Sequence, residues 1–486
     1  MTDYVEAFRA NLPAGITFDA TLNRYYANEK PFPNEWEVVR YIDYIAKFGF
    51  VSFDPTGLSL VPDYWIDATN GSDLNAGTSE GAAFATLSVI DESILTADAD
   101  IVVRVKSDTY ATDDDRIDYT LISKSNAGLI VVFEAGCVID GSAYTTSQPV
   151  ISGGSNVAGH TQVFYGNGLI VRDNTTAVGN GLSATTDIVS TYYNIDCINN
   201  TDNISSKNTA TMNLYDVTTS GAVKGEVNQG ADTITNCYRC SFTAAASNIG
   251  TEFFLAPNGT GSFAAFNTKF IGSASENTIN IPNGVLTNCQ LGTTSLRLIA
   301  NNLEAPLYII DSFVNVYSDG QNSISMDRCY GYFTTRIRSG GSVSLSNCVI
   351  SGPASTQSSI FFSNFQSGAA QDLVITDNIF ETASAAEFMN INATNAGYIV
   401  TAAGQFFNNI LSGSAAFDTD LIAADTGGTV IVDNVTADAL IGAANTLDPD
   451  DYGYGAGSPA IGAATDGGNS GFAIGEVAAP NTWINV

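Results

Sequence analysis

The chain is poor in basic residues, in charge of any kind and in histidine. Among 486 residues there are 18 Lys and Arg against 50 Asp and Glu, one His, three Trp and 13 Pro, and only 14% of residues are charged. A formal charge of −32 repels nucleic acid and anionic lipid at long range, so neither is an expected partner. No run of 18 apolar residues exists, which excludes a helical membrane span and membrane insertion. The first residues, MTDYVEAFRANLPAG, show no basic stretch followed by an apolar run, so no Sec-type export is expected. Cys237 and Cys240 form a lone CxxC with no second half. Seven cysteines, odd in number and widely spaced, do not make a disulfide framework. The single His160 has no evident partner for nucleophilic chemistry with any of them.

Low charge alone would fit a disordered chain, but 26 Phe and 21 Tyr do not. The 45 Gly are scattered rather than spaced by three, and Val, Ile, Thr, Phe and Tyr are plentiful beyond residue 60. That combination reads as short strands separated by tight turns, an all-β chain. Residues 1–60 differ, holding five of the basic residues and only three Gly. In Asn34 to Phe48, NEWEVVRYIDYIAKF, apolar residues at Trp36, Val39, Tyr41, Ile42, Tyr44, Ile45 and Phe48 fall at helical spacing, with Pro33 and Asn34 before them and Gly49 after. The pattern predicts a mainly helical N-terminal segment with an apolar face that needs a partner, either the rest of the chain or an assembly.

From about residue 61 the texture turns to short β runs and polar turns, and after residue 160 a phrase recurs: an apolar residue, a variable one, Asn or Asp, then Cys or Asn. Its copies end at Asn174, Cys197, Val217, Cys240, Thr268, Cys289, Ser312, Cys329, Cys348, Asn378, Asn409 and Asn434, a loose period of about 24 residues. Repeats of that size without leucine-rich frames or helix formers predict the coils of a parallel β-helix over 61–445. In such a stack the cysteines are buried core thiols that share a slot with Asn and Ser. The Gly- and Ala-rich stretch 446–486 predicts a closing coil.

Two further phrases bracket this array. Asn70-Gly71-Ser72-Asp73, Gly77-Thr78 and Phe84-Ala85-Thr86-Leu87 open it, and Gly457-Ser458-Pro459-Ala460-Ile461-Gly462 with Ala473-Ile474-Gly475-Glu476 closes it. They resemble the opening and closing segments of the right-handed parallel β-helix proteins of the pectate-lyase-like superfamily, with Ala83 where proline is usual. The resemblance implies a single-stranded right-handed β-helix. It leaves the function open, because such helices serve as polysaccharide lyases, hydrolases, epimerases, noncatalytic surface proteins and phage tail spikes.

No catalytic motif of those families is present: neither the NTD…DD…GHG…RxK series nor RxxPxxR occurs. The chain's scarce arginines do gather in one zone. Glu304, Asp311 and Asp327 are the candidate catalytic carboxylates, since glycoside hydrolysis uses a carboxyl pair. Arg297, Arg328, Arg336, Arg338, Tyr330 and Tyr332 are the candidate substrate-binding residues, with salt bridging as the alternative for the charged ones. The aromatic doublets Phe253-Phe254, Phe361-Phe362 and Phe406-Phe407 each place one ring outward, toward ligand or another subunit. No cofactor is expected. Ca²⁺ is conceivable by resemblance but has no specific motif, and Asp113-Asp114-Asp115 reads as a solvated turn.

Three functions stay open. The first is a virion component similar to a phage tail spike or fibre, a homotrimer that binds cell-surface polysaccharide on the host and contacts other virion proteins through residues 1–60. The second is a bacterial polysaccharide lyase or glycoside hydrolase. The third is a noncatalytic, adhesin-like surface protein.

Overall fold

In the computed structural model, strand after strand pairs in parallel with its equivalent on the next turn of the chain. From Tyr64–Ile66 to Val435–Thr436, every strand belongs to one continuous parallel network. The structure describes strands within residues 16–32 and the coil strands and corners of residues 61–436. Outside the description lie residues 1–15, 33–60 and 437–486, together with 91–100, 119–127, 155–160, 245–251, 256–261, 273–277, 300–306, 338–341, 352–359, 362–372, 383–388, 391–404, 414–418 and a few isolated positions.

The expected all-β solenoid is what forms. Inward residues stack by register: Leu214, Cys237, Ala265, Leu286, Ile309 and Met326 occupy one column, one residue per coil, all buried. Each coil alone buries too little apolar surface to be stable, and stacking makes one continuous core. The one described α-helix is short, Thr419–Ala424.

The opening stretch is a structural plug. Tyr64–Ile66 pairs with Ile101–Val105, and the chain then doubles back. Asp73 accepts hydrogen bonds from Ala85 N (2.8 Å), Thr86 N (3.0 Å) and Thr86 Oγ1 (2.9 Å). This fold-back seats Phe84 and Leu87 in the core. Gly77 is required: its φ is +70° and a Cβ there would lie 2.0 Å from the Phe84 ring. Covering the first rung removes an edge that invites foreign strands.

The recurring phrase marks a corner. Its Asn, Asp or Arg takes a left-handed conformation, with φ between 50° and 59° at Asp216, Arg239, Asn267, Asn288, Asp311, Arg328, Asn347, Asp377 and Asn408. Asn and Asp adopt that region more readily than other non-glycine residues. The next residue turns inward and, where it is Cys, Ser, Thr or Asn, bonds neighbouring coils. Sγ of Cys240, Cys289 and Cys329 donates to the carbonyls of Leu214, Ala265 and Ile309 (3.5, 3.6 and 3.3 Å). Nδ2 of Asn378 and Asn409 donates to the equivalent carbonyls of Leu345 and Ile375 (2.9 and 2.7 Å). The same side chains accept from the backbone one coil back, as Cys329 N does to Cys348 Sγ (3.4 Å) and Cys348 N to Asn378 Oδ1 (2.9 Å). Cysteine and asparagine therefore interchange because both supply a short donor and acceptor to the same corner groups.

Several expectations change. The corner column runs through Cys137, Leu169 and Ile195 before Val217, so two positions in the repeat are displaced. Cys197 stacks on Val171 and Thr219 in a different column, and Asn174 belongs to a second corner with Asn200. Within the N-terminal segment expected to be mainly helical, Ile16–Asp19, Arg24–Ala27 and Lys30–Phe32 form a three-stranded antiparallel sheet. The predicted helix at 34–48 and the predicted closing coil at 446–486 lie outside the described residues.

Candidate functional site

The charged zone divides into a clamp at the corner and a strip on the adjoining sheet. In the clamp, Arg328 Nε and Nη2 meet Asp311 Oδ1 and Oδ2 at 2.6 and 2.9 Å, and Nη1 meets Asp327 Oδ2 at 2.6 Å. Asp311 is 2% exposed, and Asp327 also accepts from Ser346 Oγ (2.9 Å) and Asn347 Nδ2 (3.3 Å). Both Asp311 and Arg328 sit at the left-handed corner, one coil apart. The same device recurs where Arg239 holds Asp216 at 2.7 and 2.5 Å. This bidentate geometry is that of a rung-to-rung staple, in which the carboxylates are already neutralised. Salt bridging, the alternative reading of these residues, is the geometry found.

The strip is built from Gln290–Ile299, Phe313–Gly320 and Tyr330–Ile337, paired in parallel. Val314 and Phe333 are core residues, so Phe313, Asn315, Tyr330 and Tyr332 take the opposite, outer parity. Register pairs position 297 with 317 and 334, and position 319 with 336. Arg297, Asp319 and Arg336 thus stand on the first, second and third strands of one three-stranded strip, with the half-buried Tyr332 on the third. Tyr330 starts on the same parity but is fully buried, edge-on to Phe313 with ring centroids 5.4 Å apart, so it is a packing residue rather than the ligand contact expected of it. Glu304 and Arg338 lie outside the described residues.

Other chemistry is sparse among the described residues. All seven cysteines are buried and unbridged. Burial pushes the Cys137 thiol up to about 12 and those of Cys197, Cys237 and Cys329 well upward, so none of these four is a thiolate nucleophile. No cluster of described His, Cys, Asp or Glu fits a metal. Within the acidic run, Asp113 accepts from Thr145 N (3.1 Å) and Asp115 from Ala111 N and Thr112 N (3.0 and 2.9 Å), so both fasten loops.

Two carboxyls escaped the sequence reading. Burial raises the pKa of both Asp202 and Glu226. Glu226 accepts from Asn203 Nδ2 (2.5 Å) and Ala222 N (3.1 Å) at the second corner. No motif surrounds either residue, and only the coil register exposes their setting.

Register also brings together aromatic residues that the sequence reading did not single out. Tyr165, Tyr193, Tyr215 and Tyr238 form an outer ladder with centroids 5.0, 4.7 and 4.7 Å apart and interplanar angles of 25°, 14° and 9°. Stacked so closely, the rings cover one another's faces, and the ladder's interior offers no open ring face to a sugar. Of the expected doublets, only Phe406-Phe407 has described side chains, with Phe406 buried and Phe407 half-buried.

The class defined by fold and strip is a parallel β-helix solenoid. No family model matches the chain and no curated protein matches it. Among solved structures the chain is similar to the crystal structure of pectate lyase Pel9A, at 12% identity over 85% of this chain and 93% of that chain, with a TM-score of 0.38. At that TM-score the similarity carries no argument, and the fold rests on the strand pairing above. No described helix is long and apolar enough to cross a membrane.

Proposed function

We propose that this chain is a carbohydrate-directed β-helix that holds cell-surface polysaccharide along its lateral strip, as a homotrimeric spike or fibre of a virion. The observation that carries the reading is the register of the strip, which brings the strand of Arg297 within one intervening strand of the strand that holds Tyr332 and Arg336. Strands about 4.8 Å apart make a rigid, regularly spaced platform suited to an extended polymer. Arginine supplies fixed forks for sugar hydroxyls or carboxylates. In a chain of charge −32 these arginines also give an acidic glycan a local point of attraction.

A second reading, a polysaccharide lyase or glycoside hydrolase, is favoured by one feature. Asp319 and Arg336 are register partners on the strip, which puts a carboxyl and a cation beside the same bound polymer.

The test is a binding screen of the full chain against bacterial surface polysaccharides, followed by assay for new reducing ends and unsaturated uronates. Binding that weakens about tenfold in Arg336→Ala and in Tyr332→Ala is expected, each a loss of about 1.4 kcal/mol. New chain ends would establish cleavage, with unsaturated uronates marking a lyase. Binding unaffected by either substitution would remove the strip from the reading.

A further inference from the structure

One outer column beside the corner changes character from coil to coil. Register stacks Asp196, Thr218, Ser241, Lys269, Gln290 and Phe313 in it, one residue per coil. Phe242, Phe270 and Leu291 are core residues, so alternation turns Ser241, Lys269 and Gln290 outward. Before them, Thr218 Oγ1 closes on the Asp196 carboxylate. After them, Phe313 is apolar and 3% exposed. Ser241, Lys269 and Gln290 thus form a row of hydrogen-bond donors on successive rungs about 4.8 Å apart. Among the described residues nothing hydrogen-bonds or ion-pairs with the Ser241 hydroxyl, the Lys269 ammonium or the Gln290 amide. Gln290 is nonetheless only 5% exposed, and Lys269 is half-buried. Burial is the sole cause that lowers the Lys269 pKa, and no described carboxylate is near enough to act on it. Arg104, Arg172, Arg239 and Arg328, by contrast, each meet a carboxylate.

A partly desolvated ammonium is stabilised by an incoming negative charge, and a buried amide by a group that accepts its hydrogens. We infer that Lys269 and Gln290 form a subsite for a carboxylate, with Ser241 on the preceding rung. One cation beside neutral donors matches a single negative charge. Two donors on adjacent rungs match a planar group with two oxygens, one bonded to the ammonium and the other to Gln290 Nε2. The subsite adjoins the strip, because Gln290–Ile299 is the strip's first strand. A carboxylate-bearing polysaccharide lying along the strip is therefore the class of ligand it takes. The polymer rests on the polysaccharide reading above, whereas the carboxylate subsite rests on these side chains alone.

Competitive acylation of the full chain with acetic anhydride, read lysine by lysine by mass spectrometry, tests the subsite with glucuronate as the probe and exposed Lys207 as the reference. Glucuronate should slow acylation of Lys269 severalfold and leave Lys207 unchanged. Glucose, and inorganic sulfate at equal ionic strength, should do neither. Gln290→Leu should remove most of that protection while Lys269 without glucuronate reacts as in the wild type. Absent protection, equal slowing of Lys207 or full protection in Gln290→Leu overturns the subsite. Equal protection by sulfate overturns its assignment to a carboxylate. Failure of the polysaccharide reading looks different: glucuronate protects Lys269 while no polysaccharide in the screen binds, which leaves the subsite standing and removes the polymer.

Discussion

At the scale of single residues, Asp311 and Arg328 are where catalysis and architecture compete as explanations. The carboxylate is almost wholly buried and held by two guanidinium nitrogens. Replacing Arg328 by Met leaves a buried carboxylate without its clamp, a loss of about 3 kcal/mol for a buried pair broken on one side. Denaturant midpoints should show that loss and its partial recovery in the Asp311→Asn/Arg328→Met double variant. A wild-type midpoint in Arg328→Met would mean that the clamp does not hold the coils. Glu226 gives a second test at this scale. Burial raises its carboxyl pKa in the folded chain above the ordinary glutamate value. The folded state therefore binds the proton more tightly, and the associated stability is fully present below the unfolded pKa. It is lost as pH rises through the folded pKa. Glu226→Gln should flatten that part of the stability-versus-pH curve. An unchanged slope in the variant would assign the pH dependence to other groups.

At the scale of the element, the corner explains both what was legible in the sequence and what was not. The period could be read because a left-handed corner favours Asn or Asp, and because from Cys240 onward the inward residue after it is a small donor and acceptor. Coil length could not, since the path between corners ranges from the 17 residues separating Asp311 and Arg328 to the 32 separating Cys137 and Leu169. Early coils keep the left-handed Asn, at Asn167 and Asn194, but place apolar Leu169 and Ile195 at the inward position, and this displaced two of the copies read from sequence. The strip was only half legible: clustering of arginines is visible in the chain, but Tyr330 and Tyr332 share a parity, and only packing beside Phe313 at the corner buries Tyr330 while Tyr332 is half-buried. The corner makes a graded prediction at Asn288, where φ is 51° and Nδ2 donates to Asn267 Oδ1 at 2.6 Å. Asn288→Gly keeps the backbone conformation and loses chiefly that bond, about 1 kcal/mol. Asn288→Val also forces a β-branched residue into the left-handed region, at a further cost of about 1–2 kcal/mol. Thermal or denaturant unfolding should rank wild type, Gly, then Val; equal stability of the two variants would show that the corner tolerates any backbone.

At the scale of the whole molecule, charge sets the terms of assembly. Each chain carries a formal −32, so copies brought side by side repel one another over the screening length. That length is about 10 Å at 0.1 M salt and about 3 Å at 1 M. A homotrimer must therefore rest on short-range apolar or hydrogen-bonded contacts that outlast the repulsion, and salt should strengthen it. Light scattering across a salt series reads the balance: the expected mass is three times 50.9 kDa, with dissociation favoured at low salt and low concentration. Strengthening by salt would separate this contact from one built on inter-chain ion pairs, which screening weakens. A mass of 50.9 kDa at every salt concentration would remove the spike reading while leaving the strip intact, and the polysaccharide screen would then decide between a binding module and an enzyme acting as a monomer.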